Sequence, residues 1–340
     1  MIIEIDRGEL AKAQKEADEG ILDGRGIAAA LLKQLRPLVR QLELRRLKPC
    51  LAVVQVGDDE ASEIYIRHKM RACEQVGMRS IHHKLSGETR WSGLSQRLEQ
   101  LNEDPMVHGV LLQLPLPEGL DEIRAIQSIH PDKDVDGFHP ANLGCLMSRA
   151  ALLEPCTPQG VMTMLAAAGV EPRGKSALVI GRSVIVGRPM ASMLTRADAT
   201  VTLCHRHTKD LSGLVRRADL VVVATGVAEL IKGEWIKEGA VVVDVGINRK
   251  NGKLTGDVDF DAAREHASLI TPVPGGVGPM TVATLLLNTL VATCMQEGLV
   301  VRDGQLMDTL QAGVHYHRAD QFSVTQLVDG PAPGHRGSMH

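Results

Sequence analysis

Residues 175–190, KSALVIGRSVIVGRPM, set a short apolar run before a glycine-punctuated turn, and a second glycine then opens a helical pattern. A buried strand, a tight turn and a helix N-terminus in that order make the phosphate-binding corner of a doubly wound sheet. Glycines at such a corner let the backbone approach a pyrophosphate, and the free N–H groups and dipole of the helix start favour its negative charge. The residues of this turn are Gly181, Arg182, Ser183 and Gly187, and their spacing departs from the standard G-x-G-x-x-G.

Outward from the turn, ATVTLCH (199–205), DLVVVATG (219–226) and GAVVVDVG (239–246) supply three more Val/Ile/Ala-rich strands with helices between them. Four short buried strands of this kind predict a parallel sheet covered on both faces. The second strand ends at HRH, where dinucleotide folds choose between a ribose hydroxyl and a ribose phosphate. An acidic residue there suits NAD. The candidates here are Arg206 and Arg182, whose guanidinium forks suit the extra phosphate of NADP.

The first half alternates in the same way. GIAAALLKQLRPLVRQLELRRL (26–47) reads as an amphipathic helix, PCLAVVQVG (49–57) as a buried strand, and DDEASEIYIRHKMRACEQVG (58–77) as a helix with an acidic start and a stop at Gly77. A strand at SIHHKL, a helix at WSGLSQRLEQLN and a strand in VHGVLLQL follow, and HPDKDVDGFHPANLG (130–144) reads as loop. TPQGVMTMLAAAGV reads as a helix linking the halves, ITPVPGGVGPM (270–280) as a second glycine-proline loop, and TVATLLLNTLVATCMQEG (281–298) as an apolar helix that packs back onto the first domain.

The chain has 340 residues, 44% hydrophobic and 23% charged, with a net charge of −3, as expected of a two-domain globular protein without a basic surface for nucleic acid. Its six cysteines are scattered, without a C-x-x-C pair or a short disulfide-framework spacing, and read as reduced cytoplasmic thiols. No metal is expected. No apolar run reaches the roughly 18 residues needed to span a bilayer, and the acidic N-terminus is unlike a signal or transit peptide, so neither membrane nor export is expected.

Tyr65, one of only two tyrosines, stands one helical turn before Lys69, so ring and amine share a face. By itself the pair fits either a solvated lysine beside a half-buried tyrosine or one wall of a pocket.

With YIRHK, QLPLP, PDKDVDGFHPANLG, PCTPQG, GRSVIVGRP, DVGIN and TPVPGGVGPMT in this order, residues 20–300 resemble the methylenetetrahydrofolate dehydrogenase/cyclohydrolase family of the FolD type. The resemblance implies an α/β fold of two domains. A folate-binding catalytic domain would span 1–155 plus 280–300, with 1–19 an N-terminal extension. A Rossmann-type NADP-binding domain would span 156–279. Residues 301–340, beyond the usual family length, end in Pro, Gly and His in place of hydrophobic periodicity and read as a partly disordered tail.

The resemblance also implies NADP-dependent oxidation of 5,10-methylenetetrahydrofolate and hydrolysis of the methenyl product to 10-formyltetrahydrofolate, in one pocket between the domains. Lys69 would be the acid/base, Gln113 its orienting partner, Tyr65 the platform for the aminobenzoyl ring and Asp136 the pterin contact. Asp134 would fix the loop. Leu112, Leu114, Pro274, Gly275, Gly276, Val277 and Gly278 would line the substrate, and Ile247 would touch NADP through its backbone. Tetrahydrofolate derivatives are the implied substrates, and a homodimer through the cofactor domain the implied assembly. A cyclohydrolase without dehydrogenase activity and a nonenzymatic nucleotide sensor on the same fold remain as alternatives.

Overall fold

The computed structural model describes residues 2–148, 153–250 and 252–309. Its first half opens with α1 (Arg7–Lys15), α2 (Gly24–Leu44), β1 (Cys50–Val56), α3 (Glu60–Val76), β2 (Arg79–Leu85), α4 (Trp91–Glu103) and β3 (Gly109–Leu112). The three strands pair in parallel in the order β2-β1-β3, and every residue of β1 and β3 is buried. Next come α5 (Glu122–Gln127), a 3-10 turn (Pro131–Lys133) and α6 (Pro140–Met147).

Local chemistry sets the helix ends. The Asp59 carboxylate accepts from Ser62 N at 2.7 Å to start α3, and Gly77, at φ 89°, stops it in the left-handed conformation that glycine tolerates best. α2 carries Pro37 in its interior, which costs about 3 kcal/mol. Burial of Leu31, Leu35, Leu38 and Leu42 on one face, worth about 1.5–3 kcal/mol each, outweighs that cost.

α7 (Cys156–Ala167) leads into β4 (Ser176–Ile180), α8 (Gly187–Arg196), β5 (Thr200–Cys204), α9 (Leu211–Val215), β6 (Leu220–Val223), a 3-10 turn (Gly233–Trp235) and β7 (Val241–Asp244). A hairpin of β8 (Asn248–Lys250) and β9 (Lys253–Thr255), then α10 (Phe260–Arg264) and β10 (Leu269–Ile270), complete a parallel sheet of order β10-β7-β6-β4-β5. The doubly wound sheet is as expected, with a fifth strand, β10, too short for a periodicity to reveal. Gly20 and Leu22 hydrogen-bond to Ile270, so the lead-in to α2 borders this sheet.

α11 (Val277–Gln296) packs against α2, α7 and α3, so the apolar helix does return to the first half. It corrects the expectation that no apolar run is long enough to cross a membrane. Among the described residues this one helix is, by length and composition, but 72% of its most apolar window is buried inside the protein.

Two further expectations are corrected. The 130–144 stretch is not wholly loop, because His130 and His139 accept backbone N–H groups through Nδ1 and cap the 3-10 turn and α6, each with proline at its start. The tail assigned from 301 onward begins as a hairpin of β11 (Leu299–Arg302) and β12 (Gln305–Asp308). Val301 N donates to Ile2 O at 2.7 Å, and Gln41 of α2 and Arg45, which caps its end, bond to Gly304 and Leu306, so the two ends of the described chain meet. The remainder of that tail, including the HYH triplet at 315–317, lies outside the described residues.

Candidate active site

α3 presents Tyr65 and Lys69 on one face, beside the C-terminal end of β3. Gln113, the residue after β3, is pinned by its own N–H to Val54 O at 2.8 Å. Its Nε2 donates to Leu114 O at 2.7 Å, which turns Oε1 outward, and Lys69 Nζ donates to that oxygen at 3.1 Å. The Leu114–Pro115 peptide is cis. Tyr65 is 37% exposed. Partial burial raises its hydroxyl above the usual value, and the charge of Arg249 on β8 pulls the other way.

The loop after the first 3-10 turn brings Asp136 to the same place. Burial pushes its carboxyl up to about 6; the Lys69 charge opposes the shift, Asp134 adds to it, and the neighbouring Cys156 opposes it again. Asp134 Oδ2 accepts from His139 N at 2.7 Å and Asn142 Nδ2 at 2.9 Å, fixing the loop. A Cβ at Gly137, φ 75°, would lie 2.5 Å from the Glu154 carbonyl carbon, so this approach to the segment before α7 requires glycine.

α11 holds that junction from behind. Asn288 Nδ2 donates to Val135 O at 2.9 Å and to Glu154 O at 2.8 Å, and Thr284 Oγ1 donates to Cys156 O at 2.9 Å. The Cys156 thiol donates to Val135 O at 3.1 Å, and burial drives its pKa far up.

The start of α11 is built on close backbone contacts. Val273–Pro274 is cis, Gly275 has φ 116°, and a Cβ at Gly276 would sit 2.7 Å from Pro272 O. Gly24 of α2 packs directly on Gly276 O. The side chains of Leu112 and Val277 are buried in the core, so each can offer a ligand only its backbone. Gly278 faces Ile247, whose Cδ1 lies 3.9 Å from the position of a Gly278 Cβ. That contact joins the proline-glycine loop to the cofactor domain.

In the five-stranded domain, Gly181 (φ 116°) lies so close to Ala224 O that any Cβ would collide, and Gly187 packs likewise on Gly181 O. Ser183 Oγ accepts from Val186 N and Gly187 N at 3.2 and 3.4 Å, closing the turn at the start of α8. Arg182 and Ser183 are exposed there. Arg206, past the end of β5, is exposed, and its Nε donates to His207 at 3.2 Å. This glycine cradle, helix N-terminus and pair of exposed guanidiniums fit a dinucleotide carrying a ribose phosphate.

The structure thus brings Tyr65, Lys69, Gln113 and Asp136 together, and places Gly181, Arg182, Ser183, Gly187, Arg206 and Ile247 on the other domain. Sequence reasoning missed Cys156, Thr284 and Asn288. A signal existed for the last two, because Thr284 and Asn288 are polar residues at i and i+4 within an otherwise apolar helix.

A family model described as the tetrahydrofolate dehydrogenase/cyclohydrolase catalytic domain matches residues 22–136, and one described as the NAD(P)-binding domain of the same enzymes matches 155–297. A bifunctional protein FolD from Magnetococcus marinus is 55% identical over 272 residues, covering 79% of this chain and 95% of that protein. One from Pelobacter propionicus is 54% identical over 271 residues, covering 79% and 96%. The bifunctional FolD methylenetetrahydrofolate dehydrogenase/cyclohydrolase of Campylobacter jejuni superimposes with a TM-score of 0.79 at 46% identity, covering 80% of this chain and 98% of that one. The Trypanosoma brucei enzyme, solved with NADP and an inhibitor, gives 0.79 at 40% identity, covering 82% and 99%. α1 and the β11–β12 hairpin lie outside both matched ranges.

Proposed function

We infer the workings of this site from one premise: the chain belongs to the tetrahydrofolate dehydrogenase/cyclohydrolase family. It is a bifunctional methylenetetrahydrofolate dehydrogenase and methenyltetrahydrofolate cyclohydrolase that uses NADP. NADP, when bound, accepts the hydride given up by the methylene carbon.

The roles of individual residues are our assignment. In the oxidation step the positive charge that develops is shared by the two nitrogens flanking the reacting carbon, so no strong base is needed. The protein's task there is alignment. Tyr65 offers a flat surface to the aminobenzoyl ring, worth about 0.5–1.5 kcal/mol beyond area burial. Asp136, whose raised pKa lets it hold or release a proton near neutrality, meets the pterin. Gly181, Arg182, Ser183, Gly187 and Arg206 hold the dinucleotide, with Ile247 meeting it through its backbone.

Hydrolysis needs proton transfer as water adds to the cation and a ring nitrogen leaves. Lys69 takes that part, aimed by Gln113. The observation that carries this reading is the 3.1 Å contact of Lys69 with Gln113, with Asp136 close enough for the lysine charge to act on it. Pro274, Gly275, Gly276 and Gly278, with Leu114 and the backbone of Leu112 and Val277, complete the substrate wall.

A homodimer through the cofactor domain fits β5, one of the two edge strands of the five-stranded sheet, where Thr202 and Leu203 are exposed. A cytoplasmic setting fits six cysteines that form no disulfide among the described residues.

The test is a paired spectrophotometric assay of the purified protein: NADP and then NAD reduction with 5,10-methylenetetrahydrofolate, and separately the decay of the methenyl compound. NADP reduction together with accelerated methenyl loss is the expected result. Methenyl loss alone would leave a cyclohydrolase, and neither activity would favour a nucleotide sensor.

A further inference from the structure

Asp257, between the β8–β9 hairpin and α10, is completely buried and belongs to none of the groups assigned above. Its Oδ2 accepts from Thr225 N at 2.6 Å, Thr225 Oγ1 at 2.8 Å and Gly226 N at 2.9 Å, all just past the C-terminal end of β6. Its Oδ1 accepts from Asn248 Nδ2 at 2.8 Å, past the end of β7, and Gly246 packs against the same oxygen so closely that no Cβ fits. The two residues it grips flank Ile247. In an open doubly wound sheet, ligands bind in the crevice beyond these C-terminal strand ends.

A second buried carboxylate sets the first. Asp244 Oδ1 accepts from Gly246 N at 2.9 Å and Asp257 N at 3.0 Å, and its Oδ2 accepts from Val258 N at 2.9 Å. Gly256 approaches Asp244 too closely for any side chain. The loop after β6, the loop after β7 and the neck of the hairpin are therefore tied at one point.

We propose that Asp257 is a positioning residue for the dinucleotide: it holds the loops after β6 and β7 in the shape that NADP meets, without touching NADP itself. This inference rests on the functional reading above. A carboxylate suits the place because both of its oxygens accept, and four donors converge on them. An amide cannot serve, because in either orientation its NH2 faces donors, the Thr225–Gly226 pair on one side or Asn248 on the other.

The experiment compares the full-length protein with Asp257→Asn and, in case that variant folds poorly, with Thr225→Val and Asn248→Ala, each of which removes one bond to the Asp257 carboxylate. KM for NADP is read against dehydrogenase kcat and against cyclohydrolase activity, which needs no dinucleotide. The expected result is a KM at least tenfold higher in Asp257→Asn and about threefold higher in the single-bond variants, with dehydrogenase kcat and cyclohydrolase activity within about twofold to threefold of the unsubstituted protein. An unchanged KM in all the variants that fold would overturn the inference. So would a parallel fall of both activities, which would make Asp257 a prop for the whole protein. The functional reading fails separately, through absence of NADP-linked activity in the unsubstituted protein.

Discussion

Lys69 Nζ and Gln113 Oε1 stand 3.1 Å apart, and the amide that receives the amine is itself held by a 2.7 Å bond to Leu114 O. A helix thus presents the cation and a strand end fixes its direction. The flexible partner is oriented by the rigid one.

Lys69→Met should therefore lower cyclohydrolase activity by about 10²- to 10⁴-fold, the usual worth of a positioned proton-transfer group, and dehydrogenase activity by less than tenfold. Both rates measured on one preparation decide it. Equal losses would remove the division of labour between the two steps.

Asp136 yields a pH prediction of definite sign. Its folded pKa of about 6 exceeds the ordinary 3.8, so the native state holds a proton that the unfolded chain has released between about pH 4 and 6. Its contribution to stability is complete below that window and is lost as pH rises through it, by at most about 3 kcal/mol. Asp136→Asn should have a Tm similar to the unsubstituted protein at pH 4 and several degrees higher at pH 8, with kcat/KM for the folate substrate down at least tenfold. A Tm difference that did not grow with pH would contradict the assignment.

Arg206→Ser should raise KM for NADP by about 10- to 100-fold, as loss of a charge-assisted phosphate contact implies, and leave KM for NAD within twofold. If the preference is unmoved, Arg182→Ser is the variant that should show it.

The exposed edge strand supplies a prediction about assembly. Leu203→Glu should shift a dimer to monomers in size-exclusion chromatography with light scattering, because a charge on the outer strand opposes strand-to-strand association. An unchanged mass would move the interface off β5.

What the sequence discloses here depends on whether the signal is local. The buried strands announce themselves as valine runs, and α3 by its Asp59 and Gly77 ends, so both sheets and the Tyr65–Lys69 face are readable. Composition misled at 130–144, where histidines act as helix caps. It misled again past residue 300, although Asp303-Gly304 is a hairpin signal and both residues adopt positive φ. The polar supports of the site were not readable, because Asn288, Asp244 and Asp257 take their meaning from partners on other loops. Asn288, for example, reaches Val135 across 153 positions of chain.

Tyr65 and Lys69 lie four residues apart on α3, and Gln113 and Asp136 belong to the same half of the molecule, whereas Gly181, Arg206 and Ile247 do not. A change in the angle between the halves would leave the spacing of ring to amine at one turn of helix, about 6 Å, and would alter the distance from folate to nicotinamide. Mutational drift should consequently wear on the two reactions unequally. Oxidation can disappear from a descendant that still hydrolyses, by damage to the five-stranded half alone, while the opposite loss has to occur inside the pocket that both reactions occupy.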